Sequence, residues 1–446
     1  MIKTSAIFLF LNYCLGKKVD MSMVVSKIDW RQLYNFASRQ AILGFCFDGI
    51  ERLTKEFSEE LKQNPMGRDL LMTWMGASQQ IRRQNMKVNV VASKLYSILR
   101  ENGLRCCILK GQGNALMYPN PYSRTPGDID VWVNASREHI SEYAKKHFEI
   151  GDDIRYHHLE TSLDGVPMEL HFFPGIMNNP IYNARLQKWF KRNADLQCSH
   201  IVGLPDGAGD IAIPTTAFNV VYQLTHLYHH FFDEGIGMRQ IIDYYYVVNN
   251  DLSNHPVPLS KEGSTFSPSP SSSGSGDVTA PSRCSEPLRS KVGGPSKVSP
   301  DCAGWDRRDA IGDIASDASV SSAFTTDSSA STALDVVQRE LKYLGLWKFA
   351  GAVMYVLHEA LGLSEENMIV PMDEKRGKLL LSEILNGGNF GKHFTKYGHF
   401  TQQGMAKKYF LKIWRNMHFV RYYPAEALSE PIFRTWHFLW RLKNKK

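Results

Sequence analysis

Two aspartates one residue apart stand at the centre of the part of the sequence that could do chemistry. Asp128 and Asp130 lie in the stretch GDIDVWV at residues 127–133, where acidic and apolar residues alternate. Side chains on a β-strand alternate between two faces, so both carboxylates are expected on one face and the apolar residues in the core. Parallel carboxylates repel each other unless a divalent cation lies between them, and Mg²⁺ prefers such hard oxygen ligands. The spacing therefore predicts a magnesium site.

A third acid is available on a hairpin further along the chain. Residues 154–163 and 166–173 flank Asp164-Gly165, a dipeptide that favours a two-residue hairpin turn. On the second strand Glu169 shares a face with His171. A third carboxylate beside the first two would allow the two-metal arrangement used in nucleotidyl transfer, so we expect Glu169 to complete the site. Glu160, on the first strand, is the alternative, although its neighbours are less apolar.

A glycine-containing turn upstream of the acids could hold phosphate groups. The apolar run at residues 104–109 predicts a buried strand, and the sequence KGQG follows it immediately. Backbone N–H groups at the start of a helix bind phosphates well, and nearby cations would neutralise the remaining charge. We therefore expect a nucleotide-binding group made of Lys110, Gly111, Gln112, Gly113 and Arg124. Each motif alone is weak, but their order along the chain is informative.

This order of motifs resembles the DNA polymerase β-type nucleotidyltransferase superfamily, and most closely its family of uncharacterised nucleotidyltransferases. The likeness covers residues 104–173. It continues into a helical part, where the family's His…His…Gly-x-Arg-Gln…Asp segment is matched by His226, His229, His230, Gly235, Gly237, Arg239, Gln240 and Asp243. The usual Gly-Ser or Gly-Gly pair of the superfamily is Gly111-Gln112 here.

The resemblance implies a fold, an activity and a set of site residues. It implies Asp128, Asp130 and Glu169 as ligands of Mg²⁺ (or Mn²⁺), and transfer of a nucleoside monophosphate from an NTP to an acceptor hydroxyl. By analogy, Glu169 would help to activate that hydroxyl. The spacing of four residues between Arg239 and Asp243 on one helix favours a local ion pair, and the resemblance offers a phosphate contact of Arg239 as the alternative. The acceptor stays open between a small molecule, a sugar, a protein and RNA.

The composition is that of a globular protein, with 446 residues, 43% of them apolar, and a formal net charge of +7. It excludes collagen-like, wholly disordered and multi-span membrane proteins. We predict an α+β fold, with a small mixed-sheet nucleotidyltransferase core embedded in mainly α-helical flanking regions. The predicted parts are a leader or mis-called start (1–23), a helical region (24–103), the core (104–200), a second helical region (201–250), a disordered Ser/Pro/Gly-rich insertion (251–332), and a basic, aromatic helical region (333–446).

The positive charge is concentrated at the C-terminal end. Residues 392–446 hold 12 Lys and Arg against Glu426 and Glu430, and aromatic residues are interleaved with the basic ones. Such a surface suits nucleic acid, an anionic membrane or an acidic substrate, although a solvated basic face on an ordinary helical domain is the simpler interpretation. Two alternatives to an enzyme follow: a non-catalytic nucleotide or nucleic-acid binding module, and a membrane-surface partner of a cell-envelope polysaccharide system.

Cysteine and histidine usage bears on zinc sites, disulfides and the location of the protein. The seven cysteines include no Cys-x-x-Cys pair, which argues against a structural zinc site or a disulfide framework and favours a cytoplasmic location. The apolar run at residues 6–11 is too short to span a bilayer. His157-His158 and the histidines at 226, 229 and 230 invite a zinc site, but we expect core or hydrogen-bonded histidines because no His-Glu-x-x-His frame is present.

Overall fold

The computed structural model describes residues 4–249, 332–394 and 405–444. The chain divides into two units, residues 1–257 with 331–446 and residues 258–330. The second unit lies outside the described residues, and so does the predicted insertion at 251–332 apart from Thr332.

Sixteen α-helices and seven β-strands make up the described part of the chain. The helices are α1 (Thr4–Cys14), α2 (Ser22–Val25), α3 (Trp30–Arg39), α4 (Leu43–Glu56), α5 (Ser58–Gln63), α6 (Arg68–Glu101), α7 (Gly111–Ala115), α8 (Arg137–His147), α9 (Pro180–Gln197), α10 (Thr216–Asp233), α11 (Met238–Asn249), α12 (Ala333–Tyr343), α13 (Trp347–Leu361), α14 (Glu374–Gly387), α15 (Met405–Met417) and α16 (Pro424–Asn444). The strands are β1 (Cys106–Leu109), β2 (Ile129–Val133), β3 (Ile150–Ile154), β4 (His158–Leu163), β5 (Val166–His171), β6 (Ile201–Gly203) and β7 (Asp210–Ala212).

Five of the strands form one mixed sheet in the order β1-β2-β5-β4-β3. Strands β2 and β5 run parallel at its centre, and the other neighbouring pairs are antiparallel. Helices precede, follow and interrupt the strands. The predicted α+β class, with a small mixed sheet in mainly helical surroundings, is confirmed.

The two faces of the sheet pack against different cores, as the alternation of side chains requires. Cys107, Leu109 and Trp132 belong to the larger core, which the helices dominate. The residues next to them in the chain, such as Ile108 and Val131, belong to a smaller core with parts of α6 and α8. Because Asp130 alternates with Val131, its carboxylate lies on the face of the sheet that the larger helical core covers.

The hairpin between β4 and β5 turns at Asp164-Gly165, the dipeptide singled out in the sequence. Both residues have positive φ, at 50° and 70°, as a two-residue type I′ turn requires. This turn sets the register in which Glu160 lies opposite Glu169. The strand before the turn begins at His158, and residues 150–154 form the separate edge strand β3.

One predicted region needs a correction. Residues 201–250 were expected to be helical, but they begin with the two-stranded sheet of β6 and β7. Each strand has only three residues, too few to show alternation in the sequence, and Pro205, Asp206 and Gly207 form the turn between them. Helices α10 and α11 occupy the rest of the region.

Helix α1 lies within the segment 1–23, predicted to be a leader or a mis-called start. Its residues Phe10, Leu11 and Tyr13 are buried in the larger core, with at most 1% of their surface exposed. This part of the segment therefore packs as part of the fold, against α4 and α13.

We expect Leu11→Ala to lower the free energy of unfolding by about 2–5 kcal/mol, because it leaves a cavity in a packed core. Leu9 lies on the same helix and is 42% exposed, so Leu9→Ala is the matched control and should change stability by less than about 0.5 kcal/mol. Urea denaturation of the full chain measures both values. Equal effects of the two substitutions would contradict this role of α1.

Candidate active site

The acidic residues predicted to form the site lie in one row across the sheet. Asp130 of β2 is in register with Glu169 of β5, and Glu169 is in register with Glu160 of β4. Asp128 precedes β2 by one residue and lines the same cleft. The sheet thus brings together the three predicted carboxylates and the alternative one. Arg155 Nη2 lies 3.0 Å from Glu160 Oε1, so the Glu160 carboxylate already has a cationic partner.

His171 lies between the two central carboxylates. Its Nε2 is 3.0 Å from Asp130 Oδ1 and 3.1 Å from Glu169 Oε2, and its Nδ1–H donates to the carbonyl oxygen of Phe173 at 3.3 Å. Burial alone would lower the pKa of His171, but its hydrogen bonds to Asp130 and Glu169 raise the pKa to about 9. The imidazole thus balances two negative charges that would otherwise repel each other.

Lys110 supplies a second cation to the same group. Its Nζ donates to Asp130 Oδ1 at 3.1 Å and to His226 Nε2 at 3.3 Å. Burial, and next the charge of Lys110, lower the pKa of His226, so its neutral ring accepts this hydrogen bond. Burial alone would raise the pKa of Asp130, but Lys110 and His171 outweigh it and hold that pKa below its usual range. Asp130 is therefore ionised.

Asp128 differs from Asp130 although the two are neighbours in the sequence. The negative charge of Asp130, followed by the loss of water in the cleft and the charge of Glu169, raises the pKa of Asp128 to about 6. A raised pKa of this origin marks carboxylates that are held too close together for both to ionise freely. A bound cation would remove that conflict.

The donor atoms fit a divalent cation. One ligand atom each from Asp130, Glu169 and His171 lie within 4.8 Å of one another, and so do those of His158, Glu160 and Glu169. Carboxylate oxygens are the ligands of Mg²⁺ and Mn²⁺, and imidazole nitrogen suits transition metals. Asp128 is not part of either cluster within the described residues, so it would hold a cation only from the cleft side.

The turn that carries Lys110 has an unusual backbone. Lys110 has a φ of +51°, and Gly111 follows with +41°. Positive φ is costly for a lysine, of the order of 1–3 kcal/mol, and such strain is concentrated at functional sites. The turn aims Lys110 at Asp130 and begins the short helix α7, so Lys110 and Gly111 both line the cleft.

Gln112 and Gly113, two residues of the predicted nucleotide-binding group, contact other parts of the protein. The side chain of Gln112 is buried and donates to Asn89 of α6. A β-carbon on Gly113 would lie 3.0 Å from Ile213, so this glycine allows close packing behind the turn. The Gln112 amide is therefore held by α6, inside the protein. Any contact of Gln112 or Gly113 with phosphate is limited to the backbone N–H.

Arg124 is engaged in a buried ion pair. Its Nε and Nη2 each lie 2.8 Å from a carboxylate oxygen of Asp243, and the Tyr118 hydroxyl donates to the same carboxylate at 2.7 Å. Two parallel hydrogen bonds of this kind are the strong form of an arginine–carboxylate pair. The predicted pairing of Asp243 with Arg239 is therefore wrong. Asp243 takes its cation from 119 residues away.

Arg239 also lines the cleft, and Asp243 does not occupy its guanidinium. Its Nη1 donates to the carbonyl oxygen of Thr125 at 3.0 Å, and its Nε is buried without a hydrogen-bond partner. Burial, and next the charge of Arg124, lower the pKa of Arg239, which nevertheless remains positively charged at neutral pH. The guanidinium lies beside Gly127, directly before Asp128. An anion bound beside the acids would find an incompletely paired cation here.

These residues line a cleft of about 250 Å³ between the sheet and helices α10 and α11. Six histidines line it as well: His157, His158, His171, His226, His229 and His230. The sequence displayed them as one pair, one group of three and the single His171, and only His171 was placed on the face of Glu169. Their meeting depends on how α10 packs over the sheet, which local spacing does not reveal.

The C-terminal helices contact one end of this cleft. Asp233, the last residue of α10, lies 3.0 Å from Lys412 Nζ and 2.8 Å from Arg434 Nη2. The ring of Tyr156, directly before the histidines of β4, packs against Trp436 and Trp440 at centroid distances of 5.1 and 5.9 Å. Helices α15 and α16 therefore belong to the surroundings of the site.

Helix α16 also carries a stripe of apolar side chains that are largely exposed. Its members are Leu428, Ile432, Trp436, Leu439 and Leu442, each between 43% and 73% exposed. Their spacing of three or four residues places them on one side of the helix. No helix in the described part of the chain combines the length and apolar character needed to cross a bilayer.

Comparisons with known proteins agree with the predicted resemblance. A family model described as an uncharacterised nucleotidyltransferase matches residues 26–256, more than half of the chain. No curated protein matches the chain. Among solved structures, the chain is similar to an antigenic nucleotidyltransferase-like protein from Paracoccidioides brasiliensis, with 17% identity, 36% of this chain and 75% of that chain covered, and a TM-score of 0.26. That likeness is too distant to support an argument about the site.

The two arginines of the site should differ in their effect on stability. We expect Arg124→Met to lower the free energy of unfolding by about 3–5 kcal/mol, because it leaves the buried Asp243 carboxylate without a cation. Arg239→Met should cost less than about 1 kcal/mol, since no carboxylate in the described part of the chain forms a hydrogen bond or ion pair with Arg239. Chemical denaturation of both variants provides the measurement. A larger loss in Arg239→Met than in Arg124→Met would show that the pairing is different.

Proposed function

We propose that this chain, which belongs to the family of uncharacterised nucleotidyltransferases, transfers a nucleoside monophosphate from an NTP to an acceptor hydroxyl with the help of a divalent cation, Mg²⁺ or Mn²⁺. Family membership gives the general activity, nucleotidyl transfer. The observation that carries the finer proposal is the row of carboxylates beside two cationic side chains in one cleft. The acceptor stays open.

Asp128, Asp130 and Glu169 would hold the cation. Two observations support this assignment. The pKa of Asp128 is raised by the nearby negative charge of Asp130, which a bound cation would offset, and the donor atoms of Asp130 and Glu169 lie close together. When bound, the cation would neutralise charge on the triphosphate and lower the pKa of the attacking hydroxyl.

The side chains around the acids have separate tasks in the proposed reaction. Lys110 and Arg239 would contact phosphate oxygens, because both line the cleft and Arg239 has a donor without a partner. The backbone at Gly111 adds N–H groups at the start of α7. Arg124 would act indirectly, by fixing α11 through Asp243 and thereby the position of Arg239.

The proposed reaction forms one bond and breaks one. The acceptor oxygen attacks the α-phosphorus of the NTP, the bond between this phosphorus and the bridging oxygen to the β-phosphate breaks, and pyrophosphate leaves with that electron pair. The hydroxyl proton passes to a carboxylate, for which Glu169 is the candidate because it is partly exposed to the cleft. Asp130 is a weaker base, because the effect of burial is outweighed by Lys110 and His171, which hold the pKa of Asp130 below its usual range.

Asp130→Asn and Glu169→Gln should each abolish the metal-dependent activity, with a loss of the order of 10³-fold or more, because both remove charge that holds the cation. NTP binding by calorimetry, with and without Mg²⁺ or Mn²⁺, and transfer from α-labelled NTPs measure the effect. Glu160→Gln is the matched control, since this carboxylate lies in the same row but is paired with Arg155. Activity that survives Glu169→Gln but not Glu160→Gln would reassign the third acid.

We further propose that the protein contacts an anionic membrane surface through α16. The exposed stripe is mainly aliphatic, and Leu and Ile do not stack on bases, so it fits an apolar interface better than nucleic acid. Lys407, Arg421 and Lys443 are exposed in the same C-terminal part and would attract acidic headgroups. Free thiols at all five cysteines of the described part suit the cytoplasmic side of such a membrane.

The double variant Ile432→Ser/Leu439→Ser should bind vesicles of phosphatidylglycerol and phosphatidylcholine about tenfold more weakly or worse than the wild type, since two exposed apolar side chains are lost. Val90→Ser on α6 is the control, because Val90 is similarly exposed at 56% and α6 packs mainly against α4, α7, β1 and β7. Co-sedimentation measures binding. Equal binding of all three proteins, or binding to RNA but not to vesicles, would refute the membrane contact.

A further inference from the structure

The acidic pair at the centre of the sheet has an imidazole nitrogen as its nearest additional donor. His171 Nε2 lies 3.0 Å from Asp130 Oδ1 and 3.1 Å from Glu169 Oε2. Two donors bound at right angles to an ion, at about 2.1 Å each, are themselves about 3 Å apart. His171 Nε2 therefore lies from each carboxylate oxygen at the spacing of a neighbouring ligand, and the donor atoms of the three residues lie within 4.8 Å of one another. Asp128, by contrast, lies outside the described clusters.

The ring of His171 is oriented as a ligating histidine is. Its Nδ1–H donates to the carbonyl oxygen of Phe173 at 3.3 Å, which fixes the ring and leaves Nε2 facing the carboxylates. A backbone carbonyl on the far nitrogen is the usual outer partner of a metal-bound imidazole. His171 is 4% exposed, so the ring is also held by packing.

A second imidazole lies within reach of the same carboxylates. His158 Nδ1 is 3.1 Å from Glu169 Oε2, and the ring is 3% exposed. Neither of its nitrogens has a partner with hydrogen-bond geometry. A buried polar group without a hydrogen bond is costly, and a bound cation is one way to satisfy it. Nitrogen donors thus surround the carboxylates from two strands.

We propose that the cation replaces the proton that His171 Nε2 shares with the two carboxylates, so that this nitrogen becomes a direct ligand and the site selects a transition metal of the Mn²⁺ class over Mg²⁺. Imidazole binds Mn²⁺ and the later divalent metals more readily than Mg²⁺, which prefers oxygen ligands and keeps several waters. This inference rests on the proposed function, because it concerns the cation that Asp130 and Glu169 would hold. It changes both the ligand set and the expected metal.

Calorimetry with MnCl₂ alone and MgCl₂ alone, on the full chain without nucleotide, tests the selectivity. We expect the wild type to bind Mn²⁺ at least about tenfold more tightly than Mg²⁺, and His171→Asn to lose about tenfold or more in Mn²⁺ affinity while Mg²⁺ affinity changes less than about threefold. His229→Asn is the matched control, because His229 lines the same cleft without contacting the carboxylates. It should keep the wild-type ratio.

Crystals of the wild type soaked in MnCl₂ provide a test that needs no variant. The anomalous signal of manganese should lie within bonding distance, about 2.0–2.3 Å, of His171 Nε2 and of both carboxylates. Manganese bound to the carboxylates with His171 Nε2 beyond 3.5 Å would overturn the inference, as would an unchanged Mn²⁺ to Mg²⁺ ratio in His171→Asn.

The outcomes separate this inference from the proposed function. One outcome is Mg²⁺-dependent transfer that requires Asp130 and Glu169, tolerates His171→Asn and shows no preference for Mn²⁺. It would support the proposed transferase and refute His171 as a metal ligand. Absence of metal binding in the folded wild type, or Mn²⁺ binding that survives Asp130→Asn, would overturn both. Manganese bound at His171 without any NTP binding would support the metal site and refute the transferase reaction.

Discussion

The repulsion between carboxylates on one buried face of the sheet is the constraint on which the rest of this structure depends. Asp130 and Glu169 are brought side by side by parallel strands, in a place where water cannot screen them well. The positive charges of Lys110 and His171 compensate this repulsion, and other residues hold each of the two side chains in place. A strained turn and His226 of α10 position Lys110, while the Phe173 carbonyl orients His171. The turn, the hairpin and α10 are thus parts of one arrangement of charges.

A second buried charge pair determines which arginine can take part in binding. Asp243 of α11 could pair with Arg239, one turn away, but it takes both hydrogen bonds from Arg124. The choice joins α11 to the segment that leads into β2, so it fixes the helix against the acids. It also leaves the Arg239 guanidinium beside Gly127, directly before Asp128. If Arg239 paired with Asp243 instead, its positive charge would be neutralised within α11. The pair of Arg124 and Asp243 therefore supports the proposed phosphate contact, because Asp243 does not occupy the Arg239 side chain.

Local pattern was enough to predict the strands that carry the acids, although not the short strands β6 and β7, and tertiary packing determines which side chains pair. The alternation around Asp130, the Asp164-Gly165 turn and the placement of Glu169 follow from a period of two and from turn chemistry, and the predicted family and fold class are confirmed. The ion pair of Asp243 was predicted wrongly because four-residue spacing on a helix favours Arg239, whereas the true partner is distant in sequence. The contact of the Gln112 side chain with α6 was not predicted, since a glycine-rich turn does not indicate which element lies behind it.

The C-terminal charge has two roles that composition cannot separate. Asp233 ends α10, where a carboxylate opposes the helix dipole, and Lys412 and Arg434 compensate it. Arg415 is 1% exposed and lies 3.4 Å from Glu383. These three cations are used inside the protein and are unavailable to an external partner. The positive charge that reaches the surface is therefore smaller than the sequence suggests. The apolar stripe of α16 must then supply much of the free energy of any membrane contact, which would make that contact less sensitive to salt than its basic composition implies.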